Sequence, residues 1–101
     1  MDIKYLIKEK IKNEINNSEN IEVGIINKDN IYNFLIEPIY EEYIDVNNKK
    51  IMLWTVSKGD FSNEIVYSEK DENFGLAMTS IENAKIFLGI YGTFIETLYS
   101  I

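Results

Sequence analysis

The spacing of apolar residues changes twice along this chain of 101 residues, and that change limits the folds open to it. Residues 2–17 place apolar side chains every three or four positions, which is typical of an amphipathic helix. Residues 20–79 alternate apolar and polar positions, which is typical of strands with one face toward water. The sequence therefore predicts one α+β domain over residues 1–101, with an N-terminal helix, an antiparallel sheet of five or six strands, and a C-terminal helix packed on the sheet.

The first helix carries signals at both ends. Asp2 belongs to the residue types that cap helices, and Asn16, Asn17 and Ser18 have side chains that compete for backbone hydrogen bonds. We therefore expect a helix over residues 2–17. Its apolar face consists of Ile3, Leu6, Ile7, Ile11 and Ile15.

Turn signals divide the alternating segment. Residues 21–25 have the pattern of a strand, and the turn cluster 27–30 follows them. Residues 31–37 form a β-rich run that ends at Pro38. A helix over residues 31–43 is the competing prediction, because the apolar residues there also fit a helical face, although Pro38 in its middle argues against it.

Two hairpins are predicted in the rest of this segment. Residues 43–46 and 50–56 flank the turn signal 47–49, and residues 64–68 and 74–79 flank an acidic turn. The strand over residues 50–56 is apolar on both faces. This pattern predicts a central strand covered on both sides, or one side of an interface.

The C-terminal segment is apolar on nearly every side. It begins with a capping-box pattern at residues 79–82, and the same spacing recurs at residues 93–96. Gly89 and Gly92 interrupt it, so the sequence predicts a long helix that kinks or restarts there. A helix with so few polar residues is expected to be the central core element or part of an oligomer surface.

Four residue types are absent from the chain: Cys, His, Arg and Gln. Their absence removes disulfides, thiolate nucleophiles, cysteine zinc sites, the commonest general base and the bidentate clamp for carboxylate or phosphate groups. The adjacent carboxylates of Glu41 and Glu42 point to opposite faces of a strand and cannot act as a pair there. The sequence therefore predicts a protein that is not an enzyme, with no catalytic residue, no metal site and no cofactor.

Acidic residues outnumber lysines, seventeen to ten, which gives a formal charge of −7. The N-terminal helix is basic, whereas residues 19–50 hold seven acids against three lysines (−4) and residues 60–72 hold five acids against one lysine (−4). Such a chain repels nucleic acid and anionic membranes, so we expect neither as a partner. The longest apolar run, residues 86–95, is about half the length that crosses a bilayer. We expect a soluble, cytoplasmic protein.

Aromatic residues are interleaved with these acidic stretches. Tyrosine and tryptophan anchor protein interfaces, and acidic side chains steer a basic partner toward them. Trp54 is expected to lie in the core. The predicted partner-binding residues are Glu37, Tyr40, Glu41, Glu42, Tyr43, Asp45, Asp60, Glu64, Tyr67, Glu69, Asp71 and Glu72.

The chain resembles the small acidic immunity proteins that neutralise bacterial contact-dependent or polymorphic toxins. The resemblance rests on size, on the basic helix followed by acidic strands, and on the segments Leu53-Trp54-Thr55-Val56-Ser57 and Gly89-Ile90-Tyr91-Gly92-Thr93-Phe94. It implies stoichiometric inhibition, in which acidic residues cover the basic substrate-binding cleft of a toxin domain and tyrosines pack around them. It identifies no binding residue, so the predicted residues rest on charge and aromatic placement.

Two other functions stay open at this stage. A homo-oligomeric scaffold would pair the apolar C-terminal helix with its own copy, which predicts a stable homodimer and no basic partner. A small-ligand-binding domain would have a pocket between helix and sheet that contains a carboxylate with a perturbed pKa.

Overall fold

The computed structural model describes residues 2–57 and 63–101. The α+β class predicted from the sequence is confirmed, with one helix before a mostly antiparallel sheet and one short helix after it. In the described part of the chain, no helix is long and apolar enough to cross a membrane. The elements run in the order α1 (Ile3–Asn17), β1 (Glu22–Val23), β2 (Ile26–Asn27), a 3₁₀ turn (Ile31–Phe34), β3 (Leu35–Ile44), β4 (Lys50–Ser57), β5 (Glu64–Ser68), β6 (Asn73–Thr79), β7 (Lys85–Gly92) and α2 (Phe94–Leu98).

Helix α1 has the boundaries that its sequence signals predict. The Asp2 carboxylate accepts a hydrogen bond from the backbone N–H of Lys4 (3.0 Å), which satisfies one of the free amides at the start of the helix. The backbone N–H of Ser18 donates to carbonyl oxygens of the last turn and closes the other end. The helix packs its apolar stripe into the main core through Ile7, Ile11 and Ile15.

The strand predicted over residues 21–25 is a small hairpin instead. Glu22–Val23 pairs with Ile26–Asn27 across a two-residue turn, and Gly24 in that turn has a left-handed backbone (φ 59°). A glycine adopts this conformation at little cost, whereas other residues do not.

The structure also decides between the two predictions for residues 31–43. A single 3₁₀ turn precedes β3, and Pro38 lies within the strand. The pairing of β3 with β4 shifts register between Leu35 and Ile39. Pro38 falls in this shift, which is where a strand tolerates a residue that has no N–H to donate.

Strands β3 to β7 form a closed barrel in sequence order. Each strand pairs antiparallel with the next, and a parallel pair of Ile44 with Ile86 joins β3 to β7. The two predicted hairpins are confirmed as β3–β4 and β5–β6. Strand β4 is central, as its apolar pattern predicts, because Leu53 packs in one core cluster while Trp54 and Val56 pack in the other.

The prediction of a long C-terminal helix is wrong, because residues 85–92 form strand β7. The capping-box pattern that begins at Thr79 caps no helix, and Thr79 Oγ1 instead donates to the Glu64 carboxylate (2.6 Å). Gly89 and Gly92 have φ angles of 143° and 123°, which no α-helix contains. The glycines that were expected to kink a helix are therefore required by a strand.

Helix α2 begins where the second capping box predicts. The Thr93 hydroxyl accepts from the Glu96 backbone N–H, and the Glu96 carboxylate accepts from the Thr93 backbone N–H. The Glu14 carboxylate of α1 accepts two further hydrogen bonds, from the backbone N–H groups of Phe94 (3.1 Å) and Ile95 (3.0 Å). One side chain of the first helix thus fixes the start of the last one.

The barrel strands have two buried faces. The interior holds a small cluster of Tyr43, Leu53, Val66 and Ala77. The outer face packs against α1 and α2 through Trp54, Val56, Ile65, Tyr67, Phe74 and Leu76. Since side chains alternate along each strand, odd-numbered residues of β3 and β4 lie on one face of the sheet and even-numbered residues lie on the other.

Candidate protein-binding surface

An exposed patch on β3 and β4 brings a predicted tyrosine together with acidic side chains. The strand register places Tyr40 opposite Trp54 and Glu42 opposite Met52, so that these four side chains share the outer face. Tyr40 is 51% exposed and Met52 is 42% exposed. We call this patch, together with the neighbouring Glu69, the acidic aromatic surface.

Trp54 fixes the side chains of this surface. Its ring centroid lies 4.8 Å from that of Tyr40, and its Nε1–H donates to Glu69 Oε1 (2.6 Å). The indole itself is buried in the main core, with 9% of its surface exposed. A tyrosine and a carboxylate held in this way lose little conformational freedom when a partner binds.

The carboxylates around the surface produce a negative potential. Among the described residues, no ion pair includes Glu42, Glu69, Asp71 or Glu72. Burial, and then the charges of Glu72 and Glu69, raise the pKa of the Tyr67 hydroxyl. The surface therefore attracts positively charged groups.

The turn after β5 presents part of this charge in a defined geometry. Ser68 Oγ donates to Asp71 Oδ2 (2.9 Å) and accepts from the Asp71 backbone N–H (3.2 Å). Glu72 follows with a left-handed backbone (φ 54°) and an exposed side chain. Glu69 and Glu72 thus flank a turn that is fixed by its own hydrogen bonds.

Three of the predicted contact residues are buried inside the molecule instead, and a fourth, Glu41, also faces the barrel interior, where it pairs with Lys85. Tyr43 and Tyr67 are 0% and 1% exposed, and Glu64 is 9% exposed. Tyr43 lies in the barrel interior, because Glu42, the residue before it on the strand, occupies the outer face. Glu64 lies there as well, since its carboxylate accepts a hydrogen bond from the Tyr43 hydroxyl. Tyr67 packs under the helices, with its ring centroid 5.0 Å from that of Phe74. A partner on the surface of this structure does not reach these three side chains.

The interior holds a polar cluster to which every strand of the barrel contributes. Tyr43 Oη donates to Glu64 Oε2 (2.7 Å) and lies 2.6 Å from Thr55 Oγ1. Lys85 Nζ lies 3.0 Å from Glu41 Oε2 and 3.8 Å from Glu64 Oε2. The barrel cluster, as we name it, consists of Glu41, Tyr43, Thr55, Glu64, Thr79 and Lys85.

The barrel cluster changes the acidity of two of its members. Burial raises the pKa of the Tyr43 hydroxyl far above its ordinary value, and the Glu64 and Glu41 carboxylates add to the rise. Burial alone would raise the pKa of the Glu41 carboxyl, but hydrogen bonds from Thr55 and Lys85 and the charge of Lys85 bring it below its ordinary value. The cluster thus keeps the Tyr43 hydroxyl protonated and favours the Glu41 carboxylate.

The remaining predicted residues lie apart from the surface. The Glu37 carboxylate is exposed but accepts a hydrogen bond from Lys8 Nζ (2.8 Å), which links β3 to α1. Asp45 Oδ1 accepts from two backbone N–H groups of the β3–β4 turn. Asp60 lies outside the described residues.

A groove of about 450 Å³ lies between α1 and the start of β3. This volume falls within the range of small-molecule sites. Of the two carboxylates that line it, that of Glu37 pairs with Lys8 (2.8 Å), and that of Glu9 raises the pKa of the Tyr5 hydroxyl. The hypothesis of a small-ligand-binding domain stays a prediction, and this groove is where such a ligand would bind.

The sequence reasoning missed two features of these sites. Neither Met52 nor Lys85 was among the predicted contacts, although pairing each hairpin residue with its opposite would have placed Met52 beside Glu42. Lys85 had no such signal, because its position follows from barrel closure.

No protein-family model, curated protein or solved structure matches this chain.

Proposed function

We propose that this protein is a non-catalytic binding module that neutralises a basic bacterial toxin domain in the bacterial cytoplasm, as immunity proteins do. The acidic aromatic surface would make the contact. One observation carries the proposal: an exposed Tyr40, fixed against Trp54, lies among carboxylates that no described lysine neutralises. This combination of a stiff aromatic side chain and free negative charge suits a positively charged protein surface.

The aromatic part of the surface would supply binding energy. The Tyr40 ring packs against Trp54 at a tilt of 40° and is half exposed, so a partner side chain can pack on it. A lysine or arginine over this ring would gain a cation–π interaction and reach the Glu42 carboxylate at the same time. Met52 beside it is adaptable enough to fill gaps in the contact.

The acidic part would supply speed and selectivity. The chain carries a net charge of −7, so it attracts a basic domain over a long range, and salt screens that attraction. Toxin domains that act on anionic substrates need a basic cleft, and an inhibitor with opposite charge covers such a cleft. The surface does not require a metal or a cofactor for this role.

The proposal is tested by capture from a lysate of the native host, followed by a toxicity assay. The tagged chain is expected to recover one basic polypeptide in equal amount, with an association rate that falls steeply as salt rises. That polypeptide, expressed alone, should inhibit growth, and co-expression of this chain should restore growth. The variant Glu42→Lys/Glu72→Lys should lose both capture and rescue.

A matched control separates the surface from the net charge. The variant Glu19→Lys/Glu22→Lys makes the same change in charge, to −3 (−7 + 4), on exposed residues beside α2, where Tyr99 contacts the backbone of Glu22. We expect it to behave like the wild-type chain. Equal losses in both variants, or a captured polypeptide whose toxicity this chain does not relieve, would contradict the proposal.

A further inference from the structure

Strand β3 has one edge that pairs with no other strand over most of its length. On one side it pairs with β4 between Leu35 and Ile44, whereas on the other side only Ile44 pairs with β7. Strand β7 begins at Lys85 and runs parallel to β3, so most of β7 extends beyond the end of β3. Within the described residues, the barrel therefore leaves an open edge along residues 35–43.

The backbone groups of Tyr40 and Glu42 point toward this open edge. At the end of the β3–β4 hairpin, the Asp45 N–H donates to the carbonyl oxygen of Lys49 (2.9 Å). Residues of an antiparallel strand bond alternately to the partner strand and to the opposite side, so the even-numbered residues of β3 direct an N–H and a carbonyl away from β4. No described residue bonds to those groups of Tyr40 and Glu42. Such an edge pairs readily with another extended chain.

The side chains along the edge differ between its two faces. Tyr40 and Glu42 belong to the acidic aromatic surface on the outer face. Ile39 shares the inner face with Thr55, its partner on β4, and is nonetheless 48% exposed, since no strand beyond β3 covers it. An added strand places alternate side chains on these two faces. It would meet a tyrosine and a carboxylate on one face and an apolar side chain on the other.

The first part of the edge is protected against pairing, and the second part is not. Pro38 has no N–H to offer, and the register of β3 with β4 shifts between Leu35 and Ile39. Both features discourage the addition of a strand. From Ile39 to Ile44 the register is regular, so about five residues of a partner fit beside this part of β3.

The charge at the edge indicates which chain would add there. Glu42 is exposed, and no ion pair among the described residues includes it. A second copy that paired through the same edge would bring the carboxylates of Glu41 and Glu42 from both copies together, and like charges on neighbouring strands repel. A basic segment instead gains an ion pair with Glu42 and a cation–π contact with Tyr40.

We propose that an extended segment of the basic partner adds to β3 as a further strand at residues 39–43, with basic side chains on the outer face and apolar side chains on the inner face. This inference rests on the proposed function and specifies how the acidic aromatic surface is used. Hydrogen bonds to the main chain of Tyr40 and Glu42 supply affinity, and the alternating side chains supply selectivity.

A capped peptide of about seven residues, in which lysine alternates with valine, tests the proposal on the full chain. The titration is followed by nuclear magnetic resonance of the isotope-labelled protein. We expect a Kd in the millimolar range, because a free peptide loses conformational entropy when it adds to a sheet. The amide signals of Tyr40 and Glu42 should shift, and their exchange with deuterium should slow.

Two N-methylated peptides separate strand pairing from contact between side chains. Successive N–H groups point to opposite edges of a strand, so the N–H groups of the lysines face one edge and those of the valines face the other. Methylation of one set should weaken binding at least about tenfold, whereas methylation of the other set should leave binding unchanged. Both peptides keep every side chain and every charge.

The variants Glu42→Pro and Glu42→Ala form a matched pair in the protein. Both lose the carboxylate, but only the proline also removes the N–H at the open edge. Glu42→Pro should therefore bind the peptide at least about fivefold more weakly than Glu42→Ala, with circular dichroism to verify the fold of each.

Equal binding of the three peptides, or unchanged Tyr40 and Glu42 signals at about 5 mM peptide, would overturn the proposal. Equal binding would leave the acidic aromatic surface as a site for side-chain contacts alone. The toxin proposal fails separately, if capture and rescue fail while only one of the methylated peptides loses binding.

Discussion

The strongest prediction about stability concerns the hydroxyl group of Tyr43. The side chain is 0% exposed, and its Oη donates to Glu64 Oε2 (2.7 Å) inside the barrel. Replacing Tyr43 by Phe keeps the ring and removes this donor, so Glu64 Oε2 loses its closest partner and keeps Lys85 Nζ at 3.8 Å. The hydroxyl also lies 2.6 Å from Thr55 Oγ1, so the change removes a hydrogen-bonding group from two buried partners at once.

The magnitude follows from the type of bond. A hydrogen bond to a charged group contributes about 1.5–3 kcal/mol, and a buried acceptor left without its donor keeps its desolvation cost. We therefore expect Tyr43→Phe to lower the free energy of unfolding by about 2 kcal/mol. For a domain of this size, that loss lowers the melting temperature by roughly 10 °C.

The assay is urea unfolding followed by the fluorescence of Trp54, the one tryptophan in the chain. The matched control is Tyr40→Phe, which removes a hydroxyl from a half-exposed ring on the outer face. Such a change at the surface should alter the free energy of unfolding by less than about 0.5 kcal/mol. The slope of the unfolding curve should stay the same in both variants, since neither alters the surface exposed on unfolding.

Equal stability of Tyr43→Phe and the wild-type chain, within about 0.5 kcal/mol, would refute the reasoning. It would mean that water or a rearranged side chain satisfies Glu64 when the hydroxyl is absent. A large loss in the Tyr40→Phe control would refute it differently, because stability would then depend on the outer face and not on the barrel cluster.

Three further predictions follow from other contacts. Gly75→Ala should destabilise the fold by about 3 kcal/mol in urea unfolding, because its Cβ would overlap the Gly89 carbonyl oxygen; wild-type stability would show that β7 can move away. Glu14→Gln should cost about 1 kcal/mol, because one of the two hydrogen bonds to the start of α2 is lost together with the charge; an unchanged melting temperature would contradict this. The lowered pKa of Glu41 means that its contribution to stability is present above pH 4.5, its ordinary pKa, and is lost as the pH falls further. Glu41→Gln should therefore reduce the dependence of unfolding on pH in acid, and an identical pH profile would contradict the role given to Lys85.

Local signals in the sequence were sufficient where one element could satisfy them alone. The capping residue and the helical period of residues 2–17 produce α1 because both act within a few residues of each other. The two hairpins follow from short turns between alternating strands, and the capping box at Thr93 starts α2 for the same local reason. These are the parts of the fold in which near neighbours decide the backbone.

The sequence failed where apolar residues occupy every side of a segment. Residues 85–92 have no clear period, because none of them is buried and apolar side chains occupy most positions, with Leu88, Ile90 and Tyr91 exposed. A helix and a strand fit such a run equally well. The choice is made by pairing with β6 and by the backbone of Gly89 and Gly92, neither of which a periodicity can indicate.

Part of the candidate site could likewise be predicted from the sequence, and part of it could not. The sequence by itself determined that the chain is acidic, that it lacks the side chains of common catalytic sites, and that tyrosines lie among its carboxylates. Only the tertiary structure decided that Tyr40 and Glu42 face outward while Tyr43 and Glu64 close the barrel from within. The reason is physical: charge and residue type belong to single positions, whereas the side of a closed sheet on which a residue lies depends on strands that are far apart in the chain.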